Sequence, residues 1–192
     1  MLTESVEIQA ALAVEGQISD KECLLLYTLA KRATDGVIVE VGSYRGRSTV
    51  ALALGSRVGA KLPVYAVDPH ATFTGVLGGK FGPQDRACMF RNLLDAGVAE
   101  EVAVVGLPSR IAAQGWEAPI GLLWIDGDHT LAGTETDFRS WGGHLRTGGL
   151  VAFHDATDPQ LGPYHVIRGL LSTDVYRRVG QVDHTVVLQK AR

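Results

Sequence analysis

Residues 37–54 read VIVEVGSYRGRSTVALAL, and this stretch decides the fold. Val37 to Val41 is an apolar run of strand length that carries an acid at Glu40. The chain then turns through Gly42 and Gly46 and enters a second apolar run, Val50 to Leu54, beginning near Ser48 and suited to a buried helix. Strand, glycine turn and helix in that order predict a βα unit of a parallel α/β sheet. In such sheets ligands bind outside the carboxyl ends of the strands, where glycine lets backbone amides approach them.

The spacing selects among nucleotide-like ligands. A dinucleotide fingerprint requires Gly-x-Gly-x-x-Gly, with pyrophosphate on the helix N-terminus. Here Glu40 replaces the first glycine, giving Glu-x-Gly-x-x-x-Gly. A carboxylate would repel pyrophosphate but suits a ligand bearing an ammonium group, which favours S-adenosylmethionine over NAD. The next apolar run, Val64 to Val67, ends in Asp68, 22 residues beyond Gly46. A ribose-binding acid is expected about 20 residues after such a turn.

Outward from this core, SDKECLLLYTLAKR (Ser19 to Arg32) predicts a helix capped by Ser19 or Asp20, with Glu22 in its first turn. Gly55 and Gly59 are expected to interrupt the helix after Leu54. The glycines and prolines after Asp68 argue against a regular element from Gly75 to Pro83 and suggest a long mobile lid beside the crevice. A helix over Ala87 to Leu94 stops at Gly97, and a strand at Val102 to Val105 leads into the turn Gly106 to Ser109. Gly121 to Ile125 is the fourth strand, a helix spans about Leu131 to Leu145, and Leu150 to Phe153 is the fifth strand. After a helix near Tyr164 to Leu171, Val175 to Val179 and Thr185 to Leu188 read as an antiparallel hairpin. The expected architecture is a Rossmann-like, doubly wound α/β fold with a seven-stranded, mostly parallel sheet and an antiparallel C-terminal strand.

Composition sets the outer bounds. The 192 residues suit one domain, 1–192, with an N-terminal helical segment at 1–34. A formal charge of -3 without a basic stripe excludes nucleic acid as an expected partner. No run approaches the roughly 20 apolar residues of a membrane helix. Cys23 and Cys88 stand apart without Cys-x-x-Cys spacing, and no secretory leader is visible, so a reduced, cytoplasmic protein is expected. Trp116, Trp124 and Trp141 read as core residues before pocket residues.

Strands four and five both end in ionisable groups: Asp126, Asp128 and His129 after one, His154 and Asp155 after the other. They fall on the same carboxyl edge as Glu40 and Asp68. Clustered carboxylates repel unless a cation compensates, so a divalent ion is expected there. Asp126 and Asp155 are the first ligand candidates, completed by His154 or Asp128, and magnesium is the first ion considered because few protein ligands are apparent. Methyl transfer from a sulfonium to oxygen needs orientation and deprotonation of the acceptor. His129, three residues beyond Asp126, is the expected base.

With these residues placed, the chain resembles class I S-adenosylmethionine-dependent methyltransferases, in particular the small metal-dependent O-methyltransferases of the catechol and macrocin-sugar types. VEVGSYRGRSTVALA resembles the first cofactor signature of that group and VYAVDPH the second, while GLLWIDGDHTLAGTETDFRSWGGHLRTGGLVAFHDA resembles its region around the fourth and fifth strands. The resemblance implies that Glu40, Gly42, Ser43 and Gly46 surround the methionine end of the cofactor, and that Ser48 contacts its carboxylate. It places Asp68 on the ribose and Ser109 near adenine, with Asp126 and Asp155 at metal positions. His154 precedes Asp155 where the catechol type has an acid-amide pair, and His129 stands near the place of its lysine base. The implied acceptor is a small hydroxylated metabolite, a sugar or phenolic natural product, and the implied assembly a homodimer or larger, against which the N-terminal helical segment would pack. The competing expectations are an NAD(P)-dependent oxidoreductase on a similar sheet and a non-catalytic cofactor-binding module.

Overall fold

A computed structural model describes residues 7–191. Seven strands form one sheet: β1 (Val37–Val41), β2 (Val64–Val67), β5 (Val102–Val105), β6 (Ile120–Ile125), β7 (Leu145–Phe153), β8 (Tyr176–Val182) and β9 (Thr185–Lys190). Their order is β5-β2-β1-β6-β7-β9-β8. The first five run parallel, and β9 pairs antiparallel with both β7 and β8. This is the expected doubly wound fold. The order reverses between β1 and β6, so their carboxyl ends part and leave a crevice above Val41 and Ile125.

Alternate residues of each strand point to opposite faces, and both faces of β1 and β6 are buried throughout. On one face α1 (Gln9–Leu12), α2 (Asp20–Arg32), α3 (Arg47–Val58) and α4 (Pro83–Asp95) cover Ile38, Val64, Leu122 and Trp124. On the other face, α5 (Ser109–Ala112), α6 (Leu131–Trp141) and α7 (Gly162–Leu171) belong to the layer around Val39, Leu123, Trp141 and Phe153. Trp124 and Trp141 are fully buried core residues, and Trp116, partly buried, packs edge-on against Tyr65 and Trp141.

The elements differ from the sequence reading in five places. Helix α3 runs through Gly55 to Val58. A Cβ at Gly55 would lie 2.2 Å from the carbonyl oxygen of Tyr27, so the missing side chain serves a close crossing with α2. Helix α4 begins at Pro83, with Asp85 accepting from the Gly82 amide at 2.9 Å. The expected loop contains a two-stranded hairpin, β3 (Phe73–Thr74) and β4 (Lys80–Phe81), whose Phe73 and Phe81 rings stack at 6.0 Å between centroids. Helix α6 stops at Trp141, and Leu145 already pairs with Ile120 before an irregularity that ends at Leu150. Finally, the described part of the N-terminal segment packs within its own chain: Ile8, Ala11, Val14 and Ile18 join the core over α2 and α3.

Candidate functional site

A cavity of about 320 Å³ opens at the carboxyl edge, walled by the turns after β1, β2, β5 and β6. Of the expected site residues, Gly42, Ser43, Ser48, Asp68, Ser109 and Asp126 line it. Gly42 sits at φ +87° against the next strand end, where a Cβ would lie 2.3 Å from the backbone oxygen of Asp126. Only glycine permits both the conformation and the approach. The Asp68 carboxylate binds the turn after β1 to the end of β2. Its Oδ2 accepts from the amides of Ser43 and Tyr44, each at 3.0 Å, and its Oδ1 from the amide of His70 at 2.7 Å. A carboxylate offers about four acceptor positions, so the aspartate arrives at the cavity already aimed, with limited capacity left for ligand hydroxyls.

Two expected cofactor residues stand behind the wall. Gly46 is the left-handed N-cap of α3 and faces Met89. Glu40 is fully buried under the turn, and its Oε2 accepts from Thr49. Neither lines the cavity, and Glu40 lies beneath the turn on which the expected cofactor contacts sit. Burial pushes the Glu40 carboxyl up to about 8, against hydrogen bonds from Ser48 and Thr49. The unfolded chain ionises this group near pH 4.3, so its burial costs stability progressively as pH rises from there to about 8. Glu40→Gln is therefore expected to raise the melting temperature at neutral pH and to flatten its decline over that window. Thermal denaturation across pH checks this, and an unchanged pH dependence would contradict it.

The acid cluster forms the cavity floor. Asp126 and His129 line it, while His154 lies behind them, only 5% exposed. His154 Nδ1 is 2.9 Å and His129 Nε2 3.3 Å from Asp126 Oδ1. Asp155 Oδ2 is farther from both rings, at 3.6 and 3.8 Å. Asp128 is engaged elsewhere, accepting from the Thr130 amide and hydroxyl at the start of α6. His129 thus stands inside the cluster, beside Asp126 and Asp155.

Burial would by itself depress the His154 imidazole, but Asp126, Glu22 and Asp155 outweigh it and push it up to about 11. Asp126 resists its own burial because His154 and His129 face it, and it is held down at about 2. His129 is also raised, its burial outweighed by Asp126 and Asp155. Even so, His129 Nε2 and His154 Nδ1 are buried beside Asp126 without a hydrogen bond of regular geometry. Two orphaned ring nitrogens and a carboxylate oxygen, all within 4.8 Å of one another, suit a divalent cation.

Several cavity residues had no signal in the sequence. Gly16, Gln17 and Ile18 form part of the wall, held by Arg47, which donates to the carbonyls of Leu12 (3.2 Å) and Val14 (3.0 Å) and pairs with Asp20. Asp137, on α6, lines the wall beside Ser109, and burial pushes its carboxyl up to about 6 against a hydrogen bond from Ser109. Ser109 in turn accepts from Trp141 Nε1 at 2.9 Å. His70 ties two loops together, its ring nitrogens 3.1 Å from the Asp68 carbonyl and 2.8 Å from that of Tyr44. Phe73, Val76, Leu77 and Phe81 of the hairpin complete an apolar flank.

The sequence profile of a family described as "Methyltransferase domain" matches residues 39–156, from β1 through the cluster. The chain belongs to this methyltransferase family. Among solved structures, the methyltransferase chain resembles a Klebsiella pneumoniae protein provisionally described as an O-methyltransferase (16% identity, 98% of this chain and 90% of that one, TM-score 0.73). It also resembles a methyltransferase of Podospora anserina bound to SAH (14%, 98% and 88%, TM-score 0.70). A third is the O-methyltransferase from Bacillus cereus in complex with SAH (16%, 99% and 91%, TM-score 0.66). At these identities the likeness is one of fold. No described helix of the methyltransferase is long and apolar enough to cross a membrane.

Proposed function

We propose that this chain is a cytoplasmic S-adenosylmethionine-dependent O-methyltransferase that methylates a hydroxyl of a small metabolite, a sugar or phenolic natural product. The observation that carries the reading is one cavity with two chemically distinct ends: Asp68 beside the Gly42 turn, and Asp126 with His129 on the floor. Relatives of the same fold bound to SAH support the choice of cofactor. The absence of a dinucleotide glycine pattern at Glu40–Gly46 weighs against the nicotinamide alternative.

In this reading Gly42, Ser43 and Ser48 hold the methionine end, Asp68 the ribose, and Ser109 with Asp137 the adenine end. The acceptor enters over Asp126 and His129. Its oxygen takes the methyl carbon as the carbon–sulfur bond breaks, leaving SAH, and the hydroxyl proton passes to the His129 imidazole when no ion is bound. A divalent ion held by Asp126, His129 and His154, beside Asp155, would instead supply orientation and a lowered hydroxyl pKa. The chain is expected to work as a homodimer or larger assembly; Phe90 and Leu94, exposed one turn apart on α4, are apolar surface such an assembly would cover.

Titration calorimetry with SAH tests the cofactor half. Binding of one SAH per chain is expected. Asp68→Ala removes a charge-assisted hydrogen bond to the ligand worth roughly 1.5–3 kcal/mol, so its affinity should fall by about 10- to 100-fold. Unaltered affinity in Asp68→Ala would remove the ribose assignment, and the failure of well-folded protein to bind SAH would remove the function.

A further inference from the structure

Glu22 precedes the matched span yet belongs to the acid cluster. It is 1% exposed, and four groups converge on its carboxylate. Oε1 accepts from the His184 amide at 3.1 Å and the Thr185 hydroxyl at 2.9 Å. Oε2 accepts from the Ser19 amide at 2.9 Å, as the return half of the α2 capping box, and lies 3.6 Å from His154 Nε2. A capping glutamate ordinarily sits at the surface. Here the turn between β8 and β9 closes over it, and its remaining charge faces a histidine.

The two nitrogens of an imidazole are coupled: a carboxylate that claims the proton of one leaves the other presenting a lone pair. Glu22 Oε2 faces Nε2 of His154 at 3.6 Å, a charge contact, while Nδ1 on the opposite side of the ring is buried beside Asp126 and His129. We propose that Glu22 is the outer-shell carboxylate of a divalent-ion centre formed by Asp126, His129 and His154, and that this centre takes a nitrogen-preferring transition ion in place of magnesium. The proposal deepens the functional reading and rests on it for the centre's place in the enzyme. Magnesium demands oxygen ligands and retains water, whereas imidazole nitrogens suit the later first-row ions from iron to zinc. Two of the three converging atoms are imidazole nitrogens. The helix before the methyltransferase core thereby sets the orientation of a ligand inside it.

The test is calorimetric titration of chelator-stripped protein with Co2+, Zn2+ and Mg2+, with SAH titrated into the same preparation and the visible absorption of the Co2+ form recorded. Co2+ and Zn2+ are expected to bind at one ion per chain, with Co2+ bands that report nitrogen ligation and are lost in His154→Ala. Mg2+ is expected to bind more weakly by about tenfold or more. Glu22→Gln keeps the size of the side chain but removes its charge, and should weaken Co2+ by about 10- to 100-fold while leaving SAH affinity unchanged. If Glu22→Gln does not fold, Thr185→Val, which removes one anchor of the carboxylate, should show the same direction. Mg2+ binding as tight as Co2+, Co2+ bands that survive His154→Ala, or Co2+ affinity unaffected by loosening Glu22 would each overturn the proposal. Failure of SAH to bind where Co2+ binds would count against the functional reading alone.

Discussion

Gly42→Ala is expected to lose both stability and SAH binding. The substitution forces a side chain into a left-handed conformation at φ +87° and places its Cβ 2.3 Å from the Asp126 backbone oxygen. That neighbour is main chain of a buried strand end, so it cannot swing aside. The conformational penalty and the overpacking together amount to roughly 2–5 kcal/mol, or about 4–20 °C in melting temperature for a chain of this length. Any relaxation moves Asp126, which carries the floor of the cavity, so SAH affinity falls with stability. Gly143 provides the control: a Cβ there meets no heavy atom within 4 Å, and Gly143→Ala should leave both properties unchanged. A Gly42→Ala protein that melts and binds like the parent would show that the turn is not the cofactor seat.

His129→Ala should cut turnover by about 10²- to 10⁴-fold, the usual range for a positioned acid or base, without weakening SAH. The imidazole reaches the cavity and touches Asp126, whereas the cofactor residues lie on the turns after β1, β2 and β5. Its proton is held more tightly than in a free histidine, because Asp126 and Asp155 outweigh the effect of burial. A step that needs the unprotonated ring is therefore suppressed at acidic pH and recovers above the ordinary imidazole range of about 6.5. The variant should lose that acid limb along with its rate. Turnover within a few-fold of the parent, with the same pH profile, would remove His129 from the chemistry.

The legible part of the molecule was the part set by local pattern. Val37–Val41, Val64–Val67 and Val102–Val105 are apolar runs bounded by turn residues, and each is a strand with those bounds. Asp68 after β2 and Asp126 after β6 had to meet at one edge once the strands ran parallel. What escaped notice depends on contacts distant in sequence. Gly55 signals a break until the Tyr27 carbonyl is seen crossing over it. Glu22 reads as a cap because the cap is three residues away, whereas His154, Thr185 and His184 lie more than a hundred residues beyond. The hairpin from Phe73 to Phe81 is made by two aromatic rings across a glycine turn, and its composition alone reads as loop. His129 was visible as a titratable group near Asp126; its place within the ligand cluster required the β7 end that brings in His154.

The most direct test of the account is a crystal structure of the protein grown with SAH. The account predicts the ribose at Asp68, the adenine between Ser109 and Asp137, and the sulfur directed toward Asp126 and His129. Nucleoside density elsewhere on the molecule, or a sulfur turned away from that pair, would contradict it.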